Sequence, residues 1–296
     1  MGIWDDIKST FRNGNNLTKL ILLNIALFIV ITIIGIVGFL IVNPEIINQT
    51  IRLLSVPSSL HTLLLRPWTV ITYMFTHKDL LHILVNLLWL YWFGKIFLEY
   101  LDQKKLVAVY LLGGVAGAFM YVISYNIFPA FQEVVGESVP LLGASASVMA
   151  IVVAIAAYVP DYTVHLFILG RIKIKYIAFG IFILTSVMDF SVNAGGKLAH
   201  IGGALLGYLY ILNYRQGLDI GKGINNIIDY LVTIIKPAKK LKVTYKRSTD
   251  EFEYNKIKTE HQKEINTILD KISKGGYDSL TKSEKDMLFR ESQKKN

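Results

Sequence analysis

Residues 143–159 read GASASVMAIVVAIAAYV, seventeen residues without a charge. Such a run is a transmembrane-helix candidate, because about 20 residues rising 1.5 Å each cross the hydrocarbon core. This one is short, roughly 25 Å by its rise per residue. Its first turn should therefore sit below the bilayer surface, with the preceding PLLG dipping in to meet it. Polar groups inside a span are costly and often mark function, so the two serines need a reason. Ser145 falls in the first turn, where unpartnered backbone N–H groups and the helix dipole favour negative charge. Ser147 lies about 200° further round, so the two hydroxyls cannot share one task. Gly143, Ala146, Ala150, Ala154 and Ala157 form a stripe of small residues through which another helix can approach closely. By itself the stretch reads as a packing face.

Five further apolar runs lie outward from it, at about 20–42, 80–98, 104–126, 174–190 and 198–214. Six spans predict an all-α polytopic membrane protein, in keeping with a hydrophobic share of 53% and a mean hydropathy of +0.44. The net charge of +9 is placed unevenly. Lys8, Arg12 and Lys19 precede the first span, Lys104 and Lys105 separate the second from the third, and Arg171, Lys173 and Lys175 separate the fourth from the fifth. The positive-inside rule puts both termini in the cytoplasm. The charge then serves topology, not a nucleic-acid partner. The absence of cysteine removes disulfide frameworks, thiolate zinc sites and cysteine nucleophiles, and the absence of HExxH disfavours a metalloprotease.

Residues 1–16 form a polar lead and 17–214 the membrane core. The outer loop 43–79 is apolar and is expected partly in the membrane interface, with Trp68 and Tyr73 at headgroup level. In 215–247, Ile220, Ile224, Ile227, Ile228, Leu231 and Ile235 recur at helical spacing ahead of six basic residues. That segment reads as an interfacial helix on anionic lipid or as an ordinary packed helix. Residues 248–262 read as a charged linker, followed by a helix carrying Ile265, Ile268, Leu269 and Ile272 and by a turn at KGGYDSL. Thr281 with Glu284 then forms a capping box for a last helix.

Two other spans carry unusual polar residues. In HKDLLHILVN, residues 77–86, His82 and Asn86 share a helix face and can both donate hydrogen bonds. They serve either as interhelical glue or as functional donors. In AHIGGALLG, residues 199–207, His200, Gly203 and Gly207 share a face, and the glycines allow close approach. If the neighbour is the small-residue stripe of the fourth span, His200 meets one of the serines. A Ser–His pair is an activated nucleophile. Asp189 is a candidate orienter of that histidine, although its position near a span end favours ordinary solvation.

The order and placement of these three motifs resemble the rhomboid family of intramembrane serine proteases, over about residues 66–214. The resemblance implies a six-helix bundle with a small helical C-terminal tail. It implies Ser145 as nucleophile and His200 as general base, with His82, Asn86 and the Ser145 N–H stabilising the oxyanion. It implies no metal and no cofactor. Substrates would be transmembrane segments of other proteins, cut near their outer ends and entering between the second and fifth spans. The setting would be a bacterial cytoplasmic membrane, with a water-filled pocket open to the outer face and covered by loops 43–79 and 191–196. Gly143, Ala146, Met149, Gly203 and Gly207 would support the site by packing, and His77 and Glu99 would be structural. The sequence departs from the family pattern where Ala146 replaces a glycine and Met149 replaces an aromatic residue. A relative that binds transmembrane clients without cleaving them is the alternative. A transporter is disfavoured, because the polar groups lie towards the outer halves of the spans.

Overall fold

A computed structural model describes residues 14–132, 140–166, 170–188, 193–235 and 251–293. The chain divides into a unit of residues 1–236 and one of residues 237–296. The basic run 236–247, Lys8, Arg12 and Asp189 lie outside the described residues.

Among the described residues, the first unit consists of helices, connecting turns and one hairpin. Its helices are α1 (Asn16–Leu40), α2 (Glu45–Leu54), α3 (Leu60–Leu65), α4 (Thr69–Thr72), α5 (Leu80–Tyr100), α6 (Gln103–Ile127), α7 (Pro129–Gln132), α8 (Ser145–Tyr158), α9 (Ile174–Ser186), α10 (Ala194–Arg215) and α11 (Lys222–Ile235). Several starts follow from local chemistry. Asn15 caps α1 through its side-chain oxygen, and Asp102 caps α6 by accepting from the N–H groups of Lys104 and Lys105. Asn193 adopts a left-handed conformation at φ 53° and accepts from Gly196 N–H, so α10 starts four residues before the expected 198. The fifth span ends at Ser186, short of the expected 190.

Three of these helices, α1, α5 and α6, are long and apolar enough to cross a membrane, and α8 and α9 are shorter apolar helices. On α1, Ile29, Val30, Ile33 and Phe39 face outward and are exposed. In water such a surface would be unfavourable by about 25 cal/mol per Å² of apolar area. In a bilayer the penalty vanishes, and a helix satisfies its own backbone polar groups.

Helix α8 is the centre of the bundle, packed against α5, α6, α9 and α10. Every residue from Ala146 to Val152 on it is buried. Small residues set its spacing. A Cβ at Gly203 would collide with the Ala146 carbonyl oxygen, and one at Gly207 with that of Ala150. On the other flank, Gly113, Gly114 and Gly117 of α6 meet Ala150, Ser147 and Ala146. The close approach of the GxxxG face to the small-residue stripe is therefore present, a pairing that the spacing left open.

The outer loop 43–79 differs from expectation. It is mostly helical, and its aromatic residues divide. Trp68 is 49% exposed and its indole donates to Leu53 O at 2.9 Å. Tyr73 is not at headgroup level: it is buried, and its hydroxyl donates to Gly114 O at 2.6 Å. A segment that packs into a helical core needs the same apolar composition as one lying in lipid, so hydropathy does not separate the two. Between α8 and α9 lies a hairpin that the spacing did not predict, β1 (Thr163–Leu166) antiparallel to β2 (Gly170–Lys173), with Thr163 opposite Lys173. Asp161 accepts from Lys173 and Lys175 at its base. Glu99 lies close enough to Tyr162 to act on it electrostatically, which ties the end of α5 to the base of the hairpin.

In the second unit, α12 (Glu251–Gly275) and α13 (Lys282–Gln293) flank a 3-10 turn at Tyr277–Ser279. Residues 251–262, expected as a charged linker, are the first turns of α12. Ile268 and Leu280 are the buried apolar contacts. Glu284 accepts from Thr281 N–H at 2.8 Å, the reach-back half of the expected capping box, and from Lys271 at 2.5 Å.

Candidate active site

A cavity of about 450 Å³ opens beside the N-terminus of α8. Ser145, His200, His82, Asn86 and Met149 all line it. Three motifs that lie far apart in sequence thus meet at one place. Ser147 does not line it. Its buried hydroxyl faces α6 at Gly114 and has no hydrogen-bond partner. The helical period separated the two serines, and packing chose between them.

Helix α8 starts without a side-chain cap, so its first backbone N–H groups lack intrahelical partners. The turn before it is held from three sides. Gly143 N–H donates to Tyr73 O at 2.9 Å, Ala144 N–H donates to His77 Nε2 at 3.3 Å, and Leu141 pairs with Val56 in an antiparallel bridge. Gly143 has φ 109°, and a Cβ there would lie 2.7 Å from His82 Cε1. Only a glycine allows both that backbone conformation and that approach of the imidazole.

His200 stands on the α10 face that packs on α8, and its Nδ1 lies 3.0 Å from Thr185 O. A carbonyl oxygen only accepts, so that bond puts the proton on Nδ1 and leaves Nε2 free to take one. Asp189, the candidate orienter, lies outside the described residues. Among the described residues the α9 backbone carbonyl at Thr185 holds the imidazole, a group that residue identity cannot reveal. Ser145 and His200 share the cavity without a hydrogen bond between them among the described residues, and such contacts often tighten only when substrate binds.

Asn86 Nδ2 donates to His82 O at 2.9 Å and lies 3.4 Å from His77 Nε2. The second contact is long and is the easier one to exchange for a substrate oxygen. His77 is fully buried, with Nδ1 3.4 Å from Phe75 O and its ring edge-on to His82 at 5.2 Å. It joins the Phe75 turn, the α5 face and the start of α8, which agrees with the structural role expected of it.

Ala146 and Met149, the departures from the family pattern, take different places. The Ala146 methyl points to Gly117 on α6, while Gly203 of α10 meets only its backbone. The extra carbon is absorbed on the flank away from His200. Met149 lines the cavity with Val148 and Val152. The remaining lining includes Trp89 and Val85 of α5 and Ile181 of α9. Of the two loops expected at the cavity, 191–196 contributes Asn193, Gly195 and Gly196 and 43–79 contributes Asp79 among the described residues. Pro140, Leu141 and Leu142 line it as well. Among the described residues there is no cluster of three or more His, Asp or Glu side chains that could hold a metal ion.

Comparisons with known proteins agree with this arrangement. Residues 65–216, just over half of the chain, match the Rhomboid domain family, and residues 248–294 match DUF6576, a family of unknown function. The presenilin-associated rhomboid-like protein A, mitochondrial, of Danio rerio is 31% identical over 144 residues, which cover 46% of this chain and 35% of the relative. The human presenilin-associated rhomboid-like protein, mitochondrial, is 26% identical over 148 residues, covering 46% and 35%. RHOMBOID-like protein 12, mitochondrial, of Arabidopsis thaliana is 29% identical over 161 residues, covering 50% and 47%. The chain thus spans between a third and a half of the length of these relatives. The matched region contains all three motifs and the whole wall of the cavity, and the chain belongs to the rhomboid family.

Proposed function

We propose that this protein is an intramembrane serine endopeptidase acting on transmembrane segments of other membrane proteins. The observation that carries the proposal is the convergence of Ser145, His200, His82 and Asn86 on one cavity. Ser145 Oγ attacks the scissile carbonyl and passes its proton to His200 Nε2. The Nδ1–H bond to Thr185 O steadies the imidazolium that forms. The carbonyl oxygen becomes an oxyanion within reach of Asn86, His82 and the Ser145 N–H. His200 then protonates the leaving amine, and a water attacks the acyl-enzyme by the same route in reverse. Helices α5 and α9 both line the cavity, which supports sideways entry of a substrate helix between them. The basic residues flanking the spans support cytoplasmic termini and a site opening outward, and we propose residence in a bacterial cytoplasmic membrane.

A client-binding protein that does not cleave is the second reading. The observation on its side is the missing Ser145–His200 hydrogen bond. Fluorophosphonate labelling with peptide mapping separates the two, since the reagent needs an activated serine. We expect label on Ser145, lost in Ser145→Ala and His200→Ala and kept in Ser147→Ala. A folded protein that takes no label would move the assignment to client binding.

A further inference from the structure

Helix α11 is amphipathic. Lys222, Asn225, Asn226 and Asp229 share one side, and Ile224, Ile227 and Ile228 the other. The polar side lines an open groove against the start of α6, in which Lys222, Asn226 and Asp229 remain exposed. Asp229 accepts from Lys104 at the start of α6 at 2.6 Å. The four polar residues line a cavity of about 640 Å³ together with Asp102 and Lys105. That cavity holds Lys104, Lys105 and Lys222 against Asp102, Asp219 and Asp229, so its charges balance and it needs no counter-ion. Ile227 is 60% and Tyr230 67% exposed, while Ile224 and Ile228 are half-buried. The incoming turn exposes Leu218 and Ile220 as well.

We propose that α11 is a membrane-surface helix, docked by its polar face on the ends of the bundle and immersed by Ile227 and Tyr230 in the lipid surface beside the Asp102–Lys105 turn. Two further observations point to lipid as the occupant. The unit that carries α11 already presents apolar helix flanks to a bilayer, so its surroundings at this edge are lipid. Residues 236–247, which follow directly, hold six basic and no acidic side chains, a charge pattern complementary to anionic headgroups.

The chain has no cysteine, so a spin label on one introduced cysteine reports a single position. Full-length Ile227→Cys, Tyr230→Cys and Asn226→Cys proteins would be placed in nanodiscs of phosphatidylcholine and phosphatidylglycerol. Labels at 227 and 230 are expected to collide with dissolved oxygen and to be shielded from an aqueous nickel chelate. The label at 226 is expected to lose that oxygen preference. Nickel access at both 227 and 230 would overturn the proposal by putting the apolar face in water. Shielding from both reagents would overturn it by showing that protein, such as a second copy, covers the face. The two positions are read separately, so one poorly folded variant does not decide the result. None of these outcomes depends on whether Ser145 is reactive.

Discussion

At the scale of single residues, the site depends on atoms too small to show as side-chain chemistry. Gly143 is required twice, by its φ of 109° and by the 2.7 Å that would separate a Cβ from His82. Gly143→Ala should move the His82 ring and the Ser145 turn together. Misplacement on the ångström scale can lower catalysis by roughly a hundredfold. We expect a loss of that order in the fluorophosphonate labelling rate, with the protein still folded by circular dichroism. Ala146 and Gly117 form a second small-residue pair. A Cβ at Gly117 would lie 2.5 Å from the Ala146 methyl, so Gly117→Ala should be destabilising by about 1–3 kcal/mol. Adding Ala146→Gly should restore only part of it, because the new Cβ would still lie 2.9 Å from Ala199 O. A thermal-unfolding cycle in detergent measures this. A double variant no more stable than Gly117→Ala alone would mean that the Ala199 backbone contact, not the methyl, sets the cost.

At the scale of elements, the seam between α10 and α8 sets the distance from His200 to Ser145. Gly203 meets Ala146, next to the serine, and Gly207 meets Ala150, one turn further along. Gly203→Val should therefore suppress labelling of Ser145 more strongly than Gly207→Val, although both loosen the helix pair. Equal labelling losses would mean that the seam acts on stability alone. In the tail, α12 and α13 are joined by Lys271 and Glu284. The Lys271 hydrogen bond, followed by those of Thr281, lowers the Glu284 carboxyl from 4.5 to about 2. A lowered pKa means the ionised form favours the folded hairpin. Its contribution is fully present above about pH 4.5 and fades as the pH falls towards 2. Hydrogen exchange of residues 282–293 in the full-length protein, corrected for intrinsic rates, should show protection falling across that window. Glu284→Gln should be less protected at pH 7 and lack the step.

At the scale of the whole molecule, the chain separates into two compact units near residue 236. The cavity lies wholly within the first. A protein ending at residue 236 should therefore label at Ser145 at the full-length rate. A changed rate would show that residues 237–296 act on the site. Most of the architecture was legible in the chain. Helices stand within about four residues of the six apolar runs, because long apolar stretches have no stable alternative in lipid. The hairpin at 163–173 was not legible, since strands of four residues are too short for a period to show. Nor was the burial of Tyr73, because core and membrane interface select the same residue types.

The sequence by itself determined the set of reactive groups and their angular positions, because the helical repeat assigns each residue to a face before anything packs. It placed Ser145 and Ser147 on different faces and His200 on one face with Gly203. Tertiary structure decided which faces meet. It turned Ser145 to the cavity and Ser147 to α6, chose the Thr185 carbonyl to hold the His200 imidazole, and paired Asp229 of α11 with Lys104 of α6. These outcomes follow from how each helix is rotated and which neighbour it has. Those quantities are set by contacts between small residues far apart in the chain, and no local pattern encodes them.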